Sequence, residues 1–257
     1  MALLEVRSLT KSFGGLAAVS ALDFDVNEGE ILGIIGPNGA GKSTVFNMIC
    51  GSITPTSGTL IFRGENISGL PPHQIAKRGI TRLFQGNVLF PNSTVITNVL
   101  MGMHLHINLS LFGFLFGGPG ARRREKAFYS RAMEILQLVG LSDEADKMAS
   151  SQPHGNQRLM CLAIALAAEP KLLLLDEPVT GMNAEEVSGM LDTIRMLRKE
   201  KGITSIVVEH NMKAVMGLCD RIVTISHGKK IADCSPKETA ENPAVCEAYL
   251  GVEQDAA

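Results

Sequence analysis

The sequence predicts an α/β fold in which a mostly parallel β-sheet carries flanking helices. Three observations predict it. Short apolar runs at Ile31–Ile35 and Leu172–Leu175 have the composition of strands buried on both faces. Strands alternate with amphipathic helical stretches along the chain, the order expected when helices cover both faces of a sheet. A glycine-rich break, Asn38-Gly39-Ala40-Gly41, joins the first apolar run directly to a helix. The 257 residues, 45% hydrophobic and 19% charged, suffice for one large domain or two lobes and exclude a disordered chain.

The elements follow in order. Leu3–Ser8 and Leu22–Val26 alternate like half-buried strands, with Phe13-Gly14-Gly15 as turn chemistry between them. Ile31–Ile35 is a buried central strand and Lys42–Cys50 the helix that follows the glycine break. Thr59–Phe62 is a further strand, Pro71-Pro72 opens a short helix, and Ile80–Phe84 is a strand. From Val95 to Val139 the pattern is helical, since Ala132, Ile135, Leu136 and Val139 fall on one face. Within that stretch lies Leu109–Gly120, apolar and glycine-rich, whose Leu109–Phe116 part either fills the core of a helical lobe or faces a partner. Leu159, Leu162, Ala163 and Leu166 repeat the helical spacing. Strand Leu172–Leu175, helix Ala184–Lys199, strand Ile203–Val208, helix Asn211–Leu218 and strand Arg221–Ile225 complete the alternation. One domain, 1–257, with two subdomains is expected: a core from 1–89 and 165–257, and a helical lobe at about 90–164.

Bulk properties remove several functions. A formal charge of -2 gives no basic surface for a phosphate backbone, so nucleic acid is not expected as a partner. The charge run Arg122–Lys126 reads as a solvated helix start. The five cysteines, Cys50, Cys161, Cys219, Cys234 and Cys246, have no metal-type spacing and are expected as reduced, mostly buried thiols in the cytosol. Leu3–Ser8 is strand-like rather than part of a signal peptide. Leu159–Ala168 and Leu109–Phe116 fall short of the roughly 20 residues needed to cross a bilayer.

Two constellations carry chemistry. Gly36-Pro37-Asn38-Gly39-Ala40-Gly41-Lys42-Ser43 matches G-x-x-x-x-G-K-[ST] in full, between a buried strand and a helix. Glycines let the backbone wrap phosphate closely, and the helix adds its positive N-terminal end. Gly36 through Thr44 are therefore expected to cradle the phosphates of ATP, with Lys42 on the terminal phosphates and the Ser43 hydroxyl on Mg²⁺. The second is Leu172–Leu175 ending in Asp176-Glu177-Pro178, two carboxylates at the strand end where such sheets bind ligands. They would be costly to bury without a cation, and magnesium removes that cost. Asp176 is expected to serve the metal and Glu177 to polarise the attacking water.

With these residues in place, the chain resembles the nucleotide-binding subunits of ABC transporters over nearly its full length. Within them it is most similar to the ATPase subunits of branched-chain amino-acid importers. The closer match rests on Leu9–Gly15, Gly69–His73, Phe84-Gln85, Leu89-Phe90-Pro91, Asp176–Pro178, Gly181-Met182-Asn183, Glu209–Met212 and Val215-Met216. The resemblance implies a P-loop NTPase core, an antiparallel β subdomain and an α-helical signature subdomain. It implies that Gln85 senses Mg²⁺ as a weak amide ligand, that His210 meets the γ-phosphate region, and that Phe13 stacks on adenine. Gly181-Met182-Asn183 would meet a partner subunit. The implied partners are two membrane-spanning permease subunits, a second ATPase (a copy or a paralogue) in a head-to-tail dimer, and indirectly a solute-binding protein. The chain would sit peripherally on the cytoplasmic side of the membrane. The solute rests on the resemblance alone; another amino acid, urea or a non-transport role are the alternatives.

One segment departs from the family pattern. Where a Leu-Ser-Gly-Gly-Gln-like signature is expected, the chain has Gln152 followed by Pro153, His154, Gly155, Asn156 and Gln157. Pro153 offers neither hydroxyl nor N–H, though proline suits a first helical turn, and Gly155 with the helix start keeps a route to anion binding. Hydrolysis is expected to survive and to be weak without partner subunits. A GTPase is excluded by the lack of an Asn/Thr-Lys-x-Asp motif, and the retained Glu177 and His210 argue against a silent regulatory subunit. The family places the region of Gln85–Pro91 against the coupling helices of the permease. Phe90→Asp is therefore expected to abolish coupled uptake in vesicles while leaving ATP affinity unchanged; unaltered uptake would remove Phe90 from that contact.

Overall fold

The computed structural model describes residues 2–83, 89–106 and 119–254. Gln85 and the Leu109–Phe116 stretch lie outside them. The described chain divides into two units: 1–82 with 171–178 and 194–257, and 83–170 with 179–193.

The first unit contains two sheets. β1 (Ala2–Phe13) and β2 (Leu16–Asn27) form an antiparallel hairpin, joined by β4 (Ser57–Phe62) and β5 (Glu65–Asn66) in the order β2-β1-β4-β5. Both hairpin strands are longer than the alternation predicts, because it breaks at Ser8 and Ala21, which have positive φ. There the Asp23 carboxylate accepts from the Ser8 N–H (2.8 Å) and the Thr10 hydroxyl from the Ala21 N–H (3.0 Å), so the strands continue through irregular register.

The other sheet has six strands: β3 (Ile31–Ile35), β6 (Ile80–Leu83), β7 (Leu172–Asp176), β8 (Thr204–Val208), β9 (Arg221–Ser226) and β10 (Lys229–Cys234). Their order is β10-β9-β3-β8-β7-β6; β9, β3, β8 and β7 run parallel, and β10 is antiparallel to β9. Every residue of β3, β7 and β8 is buried, including the polar Asp176, Thr204 and Ser205 at the ends of the apolar runs. β3 lies between β9 and β8, so the glycine break follows a central strand. Helix α1 (Lys42–Ile49) buries Val45, Phe46, Met48 and Ile49 in a core that takes Leu4, Val6 and Leu22 from one sheet and Ile34, Leu174 and Ile206 from the other. Short α2 (Pro72–Lys77) opens at the predicted proline pair.

In the second unit, α3 (Val95–Gly102), α4 (Pro119–Leu138) and α5 (His154–Ala167) pack on one another. The predicted stripe of Ala132, Ile135, Leu136 and Val139 is buried. At Gly102 an added Cβ would lie 2.6 Å from the Ile164 carbonyl oxygen, so α3 and α5 approach at backbone distance. Arg123–Lys126 are exposed on α4, the solvated start expected of that charge run.

Helix α6 (Ala184–Lys201) and α7 (Met212–Leu218) match the expected positions, and α7 is capped by the Asn211 side chain. Two C-terminal helices, α8 (Pro236–Glu241) and α9 (Pro243–Gln254), follow β10. Of the cysteines, Cys50, Cys161 and Cys219 are buried, Cys234 is half-buried and Cys246 exposed, and none is in a disulfide. Burial pushes the Cys219 thiol up to about 12, which makes it unreactive near neutrality. No described helix is long and apolar enough to cross a membrane.

Candidate nucleotide site

The loop between β3 and α1 is fixed by contacts that only glycine permits. A Cβ on Gly36 would sit 2.0 Å from the Ile225 carbonyl oxygen, and one on Gly41 (φ +105°) 2.5 Å from that of Ala18. The Ala40 carbonyl accepts from the Gly228 N–H at 3.0 Å, and Gly228 in turn accepts from Ser20 at 2.8 Å. β2 and the β9–β10 turn therefore clamp the loop, leaving Asn38 and Gly39 exposed at its crest.

Helix α1 starts bare. Gly41 provides no side-chain cap, and no acidic residue lies in the first turn. From Asn38 to Thr44, only Ala40 donates its backbone N–H to an acceptor among the described residues, the Pro37 carbonyl at 3.2 Å. A run of unsatisfied N–H groups at a helix start is an anion site. Lys42 is almost fully buried and folds back over the loop, donating to the carbonyls of Gly36 (2.6 Å) and Pro37 (3.0 Å). Burial lowers its ammonium pKa below the ordinary lysine value, against the attraction of Glu177 and Asp176. Ser43 is exposed and Thr44 half-buried.

At the end of β7, Asp176 is buried and Glu177 is partly exposed. Glu177 has φ +49°, unusual for a side chain that large, while its N–H donates to the Val208 carbonyl at 2.9 Å. Its Oε1 lies 3.0 Å from His210 Nε2. His210 follows β8, and its backbone N–H donates to the carboxylate of buried Glu209 at 3.1 Å. Lys42, Asp176, Glu177 and His210 thus converge within the first unit. Phe13 stands at the end of β1, 48% exposed, with Lys11 Nζ 5.1 Å from its ring centroid, so its ring is available for stacking. Gln85 lies outside the described residues.

The signature segment belongs to the second unit. Pro153 is the N-cap of α5 with no side-chain bond, and Pro153 and His154 are exposed. Gln152 is nearly buried and holds the segment together. It donates to Glu144 Oε2, accepts from Asn156 Nδ2, and its carbonyl accepts from Gln157 Nε2, each at 2.9 Å. Gly155 is buried, and a Cβ there would meet the Glu186 carboxylate at 2.4 Å. Gly181 lies against His154, where its own Cβ would come within 2.9 Å of the imidazole.

Three further residues lie near the site, of which Arg82 and Tyr249 carry no sequence signal of their own. Arg82 pairs with Asp176, and Glu209 caps the loop bearing His210. Tyr249 on α9 accepts a hydrogen bond from the Gly36 backbone; burial raises its phenol pKa against that bond.

Because the Gly41 conformation excludes a side chain, Gly41→Ala is expected to weaken ATP binding about tenfold, the cost of forcing an unfavourable φ. The far-UV circular dichroism should stay unchanged. Full affinity would show that the loop does not bind phosphate in this conformation.

Residues 19–180 match the family description "ABC transporter". The high-affinity branched-chain amino acid transport ATP-binding protein BraF of Pseudomonas aeruginosa is 41% identical, across 97% of this chain and 98% of that protein. The corresponding protein LivG of Escherichia coli is 40% identical over the same shares. Among solved structures, an ATP-binding cassette of an ABC transporter in its ADP conformation superposes with a TM-score of 0.86 at 29% identity, covering 98% of this chain and 99% of that one. A nucleotide-free cassette gives 0.84 at 29% identity, with 97% and 99% covered. With a family description over most of its length and relatives matched end to end, the chain belongs to the ATP-binding subunits of the ABC transporter family.

Proposed function

We propose that this chain hydrolyses ATP to power a membrane importer of branched-chain amino acids. The convergence of Lys42, Asp176, Glu177 and His210 beside a clamped loop of unsatisfied amides carries the reading. The amides from Asn38 to Thr44 bind the phosphates, and Lys42 turns from the Gly36 and Pro37 carbonyls to the terminal phosphate. Glu177, held by its backbone bond to Val208, accepts the proton of the attacking water, and His210 orients the Glu177 carboxylate. Phe13 stacks on the base.

Magnesium fits the donors available. The exposed Ser43 hydroxyl and an Asp176 oxygen are hard ligands, with Gln85 added by resemblance. No group of three or more His, Cys, Asp or Glu among the described residues forms a metal cage, which suits a metal held chiefly by nucleotide phosphates. When bound, the ion neutralises charge developing between the β- and γ-phosphates.

The substrate class follows from relatives named for branched-chain amino acid transport at 40–41% identity. The chain works with membrane-spanning permease subunits at the cytoplasmic face, fed by a solute-binding protein. A second ATPase, a copy or a paralogue, pairs head to tail and completes the site through Pro153 to Gln157. The uncapped start of α5 supports that role.

Glu177→Gln is expected to lower hydrolysis by the assembled transporter about 100-fold or more while retaining ATP binding. A wild-type rate no higher than that of the variant would refute the reading. Light scattering of the same variant with Mg-ATP separates the partners: a monomer-to-dimer shift assigns self-pairing, and an unchanged mass with ATP bound assigns a paralogue or a need for the permease.

A further inference from the structure

The carboxylate at the end of β7 already has a cation. Arg82 Nη2 lies 2.5 Å from Asp176 Oδ2, with the two side chains only 10% and 8% exposed. The same guanidinium donates through Nη1 to Asn47 Oδ1 at 2.6 Å and stands 5.7 Å from the centroid of Phe46. Asn47 and Phe46 both belong to α1, the helix that opens with Lys42 and Ser43. One planar group therefore ties the orientation of Asp176 to the helix that presents the phosphate loop.

A buried carboxylate needs a counter-charge, and a guanidinium supplies one in fixed geometry. Its Nη2 meets the carboxylate at Oδ2. We propose that Arg82 is a positioning residue for Asp176, holding Oδ2 so that Oδ1 is the oxygen offered to nucleotide-bound magnesium. This rests on the reading of Asp176 as the metal's carboxylate. Partners that orient a metal ligand typically change metal affinity about 10–100-fold when lost. Lysine restores the charge but reaches Asp176 and Asn47 less well, because its ammonium lacks the planar fork.

A merely structural ion pair would alter ATP binding equally with and without magnesium. The test is ATP affinity of the full chain, measured by calorimetry in Mg²⁺ and in EDTA, for the wild type, Arg82→Met, Arg82→Lys and Asp176→Asn. Arg82→Met is expected to weaken binding in Mg²⁺ about tenfold and in EDTA less than about twofold, with Arg82→Lys intermediate. Adding Arg82→Met to Asp176→Asn should cost nothing further, since both act through one carboxylate. Should Arg82→Met fail to fold, Asn47→Ala replaces it, with an expected Mg-dependent loss of about threefold. Equal losses in Mg²⁺ and EDTA, or no loss in either, overturn the positioning role. If Asp176→Asn shows the magnesium dependence and the Arg82 variants do not, the proposal alone fails. If the wild type and Asp176→Asn respond to magnesium alike, the reading of Asp176 falls with it.

Discussion

The six residues between the end of β3 and the start of α1 turn a fully buried strand into a helix whose first amides have no partner among the described residues. The rest of the first unit supports that turn. β9 passes so close that Gly36 admits no side chain, β2 does the same at Gly41, and the turn after β9 receives the Ala40 carbonyl. The apolar core shared by α1 and both sheets then fixes the helix axis, so the unsatisfied amides point in one direction. Stability from burial is thereby used to hold an arrangement of backbone dipoles that would not persist alone.

Charge is arranged around that turn with the same economy. Lys42 is desolvated enough to lower its pKa, yet the neighbouring Glu177 and Asp176 favour its charged form. Asp176 is neutralised by Arg82, while Glu177 is left to His210. The two adjacent acids thus have different environments, as the different tasks proposed for them require. The positive φ of Glu177 is local strain at the residue assigned to water activation, compensated by its backbone bond to β8.

Much of this was legible in the sequence because buried parallel strands leave apolar runs and phosphate loops leave glycines. Ile31–Ile35 and Leu172–Leu175 became β3 and most of β7, and the glycine break lies where the strand ends. Alternation failed where side chains replace ladder hydrogen bonds, as at Ser8 and Ala21, so β1 and β2 looked half their length. β10 has no apolar run, being an edge strand with exposed lysines, and α8 and α9 are short helices opened by prolines. Arg82 gave no signal because a single arginine in a strand has no spacing pattern. Gln152, which departs from the family pattern, is also the buried hub of its segment, a role visible only through Glu144, Asn156 and Gln157.

The central claim is that the amides from Asn38 to Thr44 other than Ala40, which lack acceptors among the described residues, take phosphate as their partner. Hydrogen exchange of these amides, followed in the full chain with and without saturating Mg-ATP, tests it most directly. Ligand contacts should slow their exchange about tenfold or more, with little change in β3, which is already bonded on both sides. Unchanged exchange from Asn38 to Thr44 with ATP bound would contradict the claim and place the nucleotide elsewhere.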